Sequence, residues 1–205
     1  GGSQDLIYPL YRAYDDLEQM VNLVSIDSKF DFGKQDGSIS SDSYMSKIIV
    51  DEPNNLFNYC NIGYQTYFNS QEEIDLIEKL YFDAYRLGEI SSNISLAEPV
   101  LRDADLVNID LTTIKTSDSG NFTNFTPNGF NGEEACILMQ YAGMSWKTST
   151  IGLFGYQAEL DNNGLTAIQM AQMIWYVIDG IQKGKKESPL SDAERFKEFH
   201  IAFSD

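Results

Sequence analysis

The sequence has 205 residues, with 31 acidic against 14 basic side chains and a formal charge of −17. That balance repels phosphate backbones and anionic lipid, so nucleic-acid binding and a membrane-surface role are not expected. Hydrophobic residues at 42% and aromatics at 13% suffice for a packed core, which argues against disorder as a description of the whole. No stretch approaches the ~18 apolar residues of a membrane span, and no basic segment followed by an apolar one opens the chain. Cys60 and Cys136 lie in apolar runs and read as small buried hydrophobes of a reducing compartment, so the expected location is the cytoplasm.

In chain order, Leu10, Tyr14, Leu17 and Val21 fall on one helical stripe and predict a helix over 8–20. An apolar strand over 21–26 follows and stops at Asp27. Residues 28–46 are rich in Ser, Asp and Gly and read as a surface loop. A second strand is expected over 57–62. Ser70 with Glu73 three residues on forms a capping box, opening a helix that carries Ile74, Ile77 and Leu80. A strand over 83–87 and a short helix over 95–103, with Pro99 inside it, come next. The strand over 105–110 again ends in an aspartate.

Residues 116–132 read as a polar loop, followed by a helix over 132–142, a strand over 149–154 and a strongly apolar helix over 166–181. Past Lys183 the chain turns polar and charged, as a linker and short amphipathic tail would. The expected organisation is thus one α/β domain over 1–182 and a tail over 183–205. Asn93, Asn121 and Asn124 head glycosylation sequons, read as chance matches in polar segments. Short apolar strands between helices predict a mostly parallel sheet in a three-layer αβα fold, with ligands held outside the carboxyl ends of the strands.

Asp27 and Asp110 fall at such ends, with Asp31 close behind the first. Converging carboxylates are a usual seat for divalent cations, and a two-metal hydrolytic site mixes them with neutral imidazoles. The single histidine, His200, lies far along the chain and reads as a surface residue.

The segments Gly1-Gly2-Ser3-Gln4, Asp27-Ser28-Lys29-Phe30-Asp31 and Asn108-Ile109-Asp110-Leu111-Thr112 occur in the order of three ureohydrolase motifs. Those motifs, of arginase, agmatinase and formimidoylglutamase, are Gly-Gly-x-His, Asp-Ala-His-x-Asp and Ser-x-Asp-x-Asp. Thr126-Pro127-Asn128-Gly129-Phe130 with Glu133-Glu134-Ala135 is similar to the segment after the third motif. Asp161 followed by Thr166-Ala167 is similar to the opening of the last helix. The resemblance covers residues 1–182 and implies an arginase-like αβα fold, a manganese-dependent hydrolase of guanidino or formimino substrates, and an oligomer. It also implies sheet strands preceding the first motif, which would make the sequence a C-terminal portion of a longer chain or one that pairs with a partner.

Carried over by position, the metal motifs are degraded. Gln4 and Lys29 stand where the resemblance implies histidines, and Thr112 where it implies the last aspartate, leaving Asp27, Asp31 and Asp110. Gly155-Tyr156-Gln157-Ala158 stands where the family's Glu-x-Asn-Pro would contact substrate, so that glutamate is missing as well. The favoured reading is a salt-bridged cluster with the Lys29 ammonium at hydrogen-bond distance from at least one of the three aspartates. No metal is expected in it. A single-metal site on Asp27, Asp31 and Asp110 and an unrelated small-ligand site are the alternatives. The functional expectation is a ureohydrolase-like protein that has lost hydrolysis and serves in binding, scaffolding or regulation. Its alternative is an active amidinohydrolase using manganese in an atypical site.

Overall fold

A computed structural model describes residues 2–33, 39–120, 126–161 and 163–185. His200, Asn121, Asn124 and nearly all of the expected tail lie outside the described residues. Five strands, β1 (Val21–Ile26), β2 (Leu56–Tyr64), β3 (Asp83–Arg86), β4 (Leu106–Asp110) and β5 (Thr150–Phe154), form one sheet in the order β3-β2-β1-β4-β5. Every pairing is parallel, and Ile26 stands level with both Ile62 and Ile109. A parallel sheet is covered on both faces, which is why its central strands are near-continuous apolar runs.

On one face, Val21 and Leu23 of β1, Tyr59 of β2 and Leu106 of β4 pack against α1 (Ile7–Asp16), α2 (Tyr44–Val50) and α3 (Gln71–Lys79). On the other, Val24, Ile26, Cys60, Val107 and Ile109 pack against α4 (Leu87–Ser92), α5 (Ala97–Arg102), α7 (Gly132–Met144) and α8 (Leu165–Gly184). The period-two alternation along each strand therefore separates two cores. The single turn α6 (Thr116–Ser119) and one-turn 3₁₀ segments complete the described chain. Cys60 and Cys136 are unpaired and buried. No helix among the described residues is long and apolar enough to cross a membrane.

The Ser70–Glu73 capping box closes reciprocally at the start of α3, at 3.2 and 2.7 Å. A second box, Asn131 with Glu134, opens α7. Three expectations need correction. The first helix ends at Asp16, where the chain reaches a left-handed Glu18, rather than at residue 20. Residues 28–46 are not simply a surface loop, since Phe30, Asp31, Tyr44 and Met45 are buried and α2 begins at Tyr44. The segment goes inside because the Phe30 ring packs on Phe32 and Tyr64 while side-chain amides satisfy its backbone. One helix turn, α6, stands in the loop expected over 116–132.

Candidate functional site at the carboxyl ends of β1 and β4

In-register pairing places Asn61, Ser25, Asn108 and Gly152 in one row across β2, β1, β4 and β5. The three polar members are fully buried. Polar groups in such a place need internal partners. Ser25 and Asn108 bond to each other, while Asn61 bonds to the loop after β1 through its Nδ2 and leaves its Oδ1 without a partner among the described residues. Asn108 Nδ2 donates to Ser25 Oγ at 2.8 Å, and Asn61 Nδ2 donates to the carbonyl of Lys29 at 2.8 Å. Tyr44, from α2, brings its hydroxyl to 3.3 Å from Ser25 Oγ.

Above this row sits Gln4, in the 3₁₀ turn that precedes α1 and nearly inaccessible to solvent. Its Nε2 donates to Asp27 Oδ2 at 2.6 Å and to Asn108 Oδ1 at 3.0 Å, with Tyr44 Oη at 3.2 Å. Asn108 directs its NH₂ to Ser25 and turns its oxygen to Gln4, so the Gln4 amide presents its NH₂ side here. Asp27 Oδ1 accepts from the Lys29 N–H at 2.9 Å. Asn69 clamps the loop from the other side, accepting from the Phe30 N–H and donating to the Ser28 carbonyl. The loop then turns through a left-handed Asp31, φ 56°, whose Oδ2 is buried without a partner among the described residues.

Asp110 ends β4 and caps the next 3₁₀ turn, its Oδ1 accepting from the Thr112 N–H at 2.7 Å. Gly155 presses against this carboxylate. With φ +82° and an added Cβ only 3.0 Å from Asp110 Oδ1, that position calls for glycine twice over. Its N–H donates to the Gly2 carbonyl, tying the end of β5 to the start of the chain. A cleft of about 320 Å³ opens between these segments, lined by Gly2, Ser3, Gln4, Ser41, Asp110, Thr112, Gly155, Tyr156 and Gln157. At its edge Tyr156 reaches Asp161, whose carboxylate accepts from the N–H groups of Thr166 and Ala167 at the start of α8.

Burial dominates the electrostatics. It pushes the Asp27 carboxyl up to about 7, helped by the neighbouring Asp110 and opposed by the hydrogen bonds from Gln4 and the Lys29 N–H. Asp31 is raised well above the ordinary carboxylate range by burial, then by Asp27 and Asp110. Burial also raises Asp110 against the opposing Thr112 N–H. The three acids thus hold protons more tightly than exposed acids do.

The six positions singled out from the sequence come to one end of the sheet, but the expected salt-bridged cluster does not form. Lys29 Nζ turns outward to Asp42, at 3.1 Å, in a pair with side-chain exposures of 44% and 69%. Solvation outweighs the pull of the buried acids, of which Asp27 and Asp110 already receive backbone or amide donors. Ser25, Tyr44, Asn61, Asn69 and Asn108 were not anticipated as site residues. For three of them the available signal was a Ser or Asn near the carboxyl end of β1, β2 and β4. Among the described residues no group of three or more His, Cys, Asp or Glu side chains stands in metal-holding geometry.

The strand order, the strand-end cleft and the covering helices define an arginase-like α/β fold. Solved structures carry the same fold over nearly the whole chain. Formimidoylglutamase from Bacillus subtilis superposes with a TM-score of 0.79 at 15% identity, covering 89% of this chain and 60% of that one. Trypanosoma cruzi formiminoglutamase with Mn²⁺ gives 0.76 at 16% identity, with 88% and 63% covered. The agmatine ureohydrolase of Thermoplasma volcanium gives 0.73 at 18% identity, with 91% and 62% covered. The chain therefore spans about three fifths of the length of these proteins. No family model and no curated protein matches the sequence.

Proposed function

We propose that this chain is a ureohydrolase-like protein in which metal-dependent hydrolysis has given way to ligand binding, in a scaffolding or regulatory setting in the cytoplasm. The observation that carries this reading is the 2.6 Å bond from Gln4 Nε2 to Asp27 Oδ2. An amide NH₂ has no lone pair to offer a metal, and here it occupies a carboxylate oxygen that a divalent ion would need. Lys29 turns outward to Asp42 and Thr112 offers only a neutral hydroxyl, so neither supplies an imidazole or carboxylate and the donor set does not fit a pair of manganese ions. The cleft is lined by hydroxyls, the amides of Gln4 and Gln157 and Asp110, and suits a small ligand rich in N–H donors or carrying positive charge. The buried unpaired thiols agree with a reducing compartment.

The test is incubation with arginine, agmatine or formimidoylglutamate and added manganese, monitored for urea, ammonia and formamide. The expected result is no release above background. Turnover near ~1 s⁻¹, within the ordinary enzyme range, would refute the proposal. One observation favours a second reading, an amidinohydrolase with an atypical cation site: the orphaned Oδ2 of Asp31 lies beside two further acids, and a cation would relieve all three.

A further inference from the structure

Asparagine followed by glycine is the pairing most prone to deamidation, because no side chain shields the glycine nitrogen and its backbone turns freely. Three such pairs occur: Asn128-Gly129, Asn131-Gly132 and Asn163-Gly164. The fold restrains the first two. Asn131 caps α7, where its Oδ1 accepts from the Glu134 N–H at 2.7 Å and the Gly132 N–H donates to Asp118 at 3.0 Å. The Asn128 carbonyl accepts from Gln65 Nε2 at 3.1 Å. Gly129 beside it is wedged against the backbone of Thr113 and Lys115, whose atoms lie 2.5 and 2.6 Å from where a Cβ would stand. Asn163 differs on each count. Its side chain is exposed, and among the described residues nothing beyond the chain neighbours stands within 4 Å of a Cβ placed on Gly164. The Gly164 N–H makes one long bond, 3.3 Å, to the Asp161 carbonyl.

We propose that Asn163 is a modification site of this chain: in the folded protein it deamidates to aspartate and isoaspartate, far ahead of Asn128 and Asn131. The Gly164 nitrogen, its proton lost to hydroxide, attacks Asn163 Cγ. The new C–N bond closes a succinimide ring, and the Cγ–Nδ2 bond breaks to release ammonia. Water then opens the ring, giving aspartate by attack at the side-chain carbonyl and isoaspartate by attack at the main-chain carbonyl. The sum is an amide plus water to an acid plus ammonia, with nothing oxidised or reduced. The nitrogen must swing onto the side chain, which the turn before α8 allows and the cap of α7 forbids until it opens locally. Position gives the change a consequence. Asp161, in the same turn, holds the N–H groups of Thr166 and Ala167 and is reached by Tyr156 at the edge of the cleft. Isoaspartate lengthens the main chain by a methylene there and loosens the start of α8. Plain aspartate adds only a negative charge, which a helix N-terminus favours. This inference is independent of the chemistry in the cleft.

Ageing of the 205-residue chain in warm, mildly alkaline buffer, followed by peptide mapping, tests it. The expected result is conversion at Asn163 about tenfold or more faster than at Asn128 or Asn131, the margin that opening a helix cap imposes. In urea, where the fold no longer discriminates, the three sites convert at similar rates. Asn163→Gln abolishes the fast phase of ammonia release, because glutamine would have to close a larger ring. The isoaspartate form, separated by chromatography, melts below Asn163→Asp, which carries the charge without the extra backbone atom. Equal conversion at the three sites of the folded protein, or faster conversion at Asn128 or Asn131, overturns the proposal. So does the same preference for Asn163 in urea, since sequence and not fold would then set it. An isoaspartate form that melts together with Asn163→Asp overturns the loosening of α8.

Discussion

On one face of the sheet, α7 and α8 meet through glycines; on the other, Gln4 and Tyr44 meet the strands through hydrogen bonds. The first contact is specified by volume, because an added methyl at Gly180 would collide with the Gln140 carbonyl. The second is specified by partners, because the buried amides of Gln4, Asn69 and Asn108 each meet a named acceptor or donor. Volume can be wrong only by crowding or emptiness, whereas a polar row fails when any one member loses its complement. The difference teaches which end of the sheet is specified by polar partners and not by volume. Packing alone would have filled the strand ends with apolar side chains, yet buried Ser, Asn and Gln are held there around three acids.

The largest expected effect breaks the volume-specified contact. Gly180→Leu forces α8 off α7 and destabilises the fold by about 3 kcal/mol or more, read as a lowered urea midpoint. Next, Gln4→Met removes the donor to Asp27 and Asn108 and costs roughly 1–3 kcal/mol. A neutral result would mean that the polar row is not what fixes the strand ends.

The third prediction concerns pH. The Asp27 carboxyl titrates at about 7 in the fold against its ordinary 3.8, so the native state holds an extra proton between those values. Stability is then greatest on the acid side of that window and declines as pH rises through it. Asp27→Asn makes the decline shallower, with Asp31 and Asp110 supplying what remains. A slope unchanged by Asp27→Asn would contradict the assignment. The smallest effect is at Lys29. Its exposed pair with Asp42 predicts a change within about 0.5 kcal/mol for Lys29→Met, and a loss of several kcal/mol would place the ammonium back among the buried acids.

Much of the fold was legible because its signals are local. The runs at Val21–Ile26 and Leu106–Asp110, each closing on an aspartate, marked adjacent parallel strands, and Ser70 with Glu73 marked the start of α3. Helix α2 was hidden because its buried Tyr44 and Met45 follow a polar stretch, so composition spoke for loop where long-range burial decided. The convergence of Gln4, Asp27, Asp31, Asp110 and Thr112 followed from motif order and strand ends. The direction of Lys29 did not, because a long side chain chooses between solvent and interior on desolvation, which sequence does not record. The row of Asn61, Ser25 and Asn108 also escaped notice, since register sets it and each residue alone looks like an irregularity in its strand.

Thermal denaturation with and without manganese tests the central claim most directly. With Gln4 donating to Asp27, the account predicts the same melting temperature in both conditions and no stoichiometric manganese in protein purified without chelator or a histidine tag. A melting temperature raised by manganese, with the rise abolished by Asp110→Ala, would contradict it.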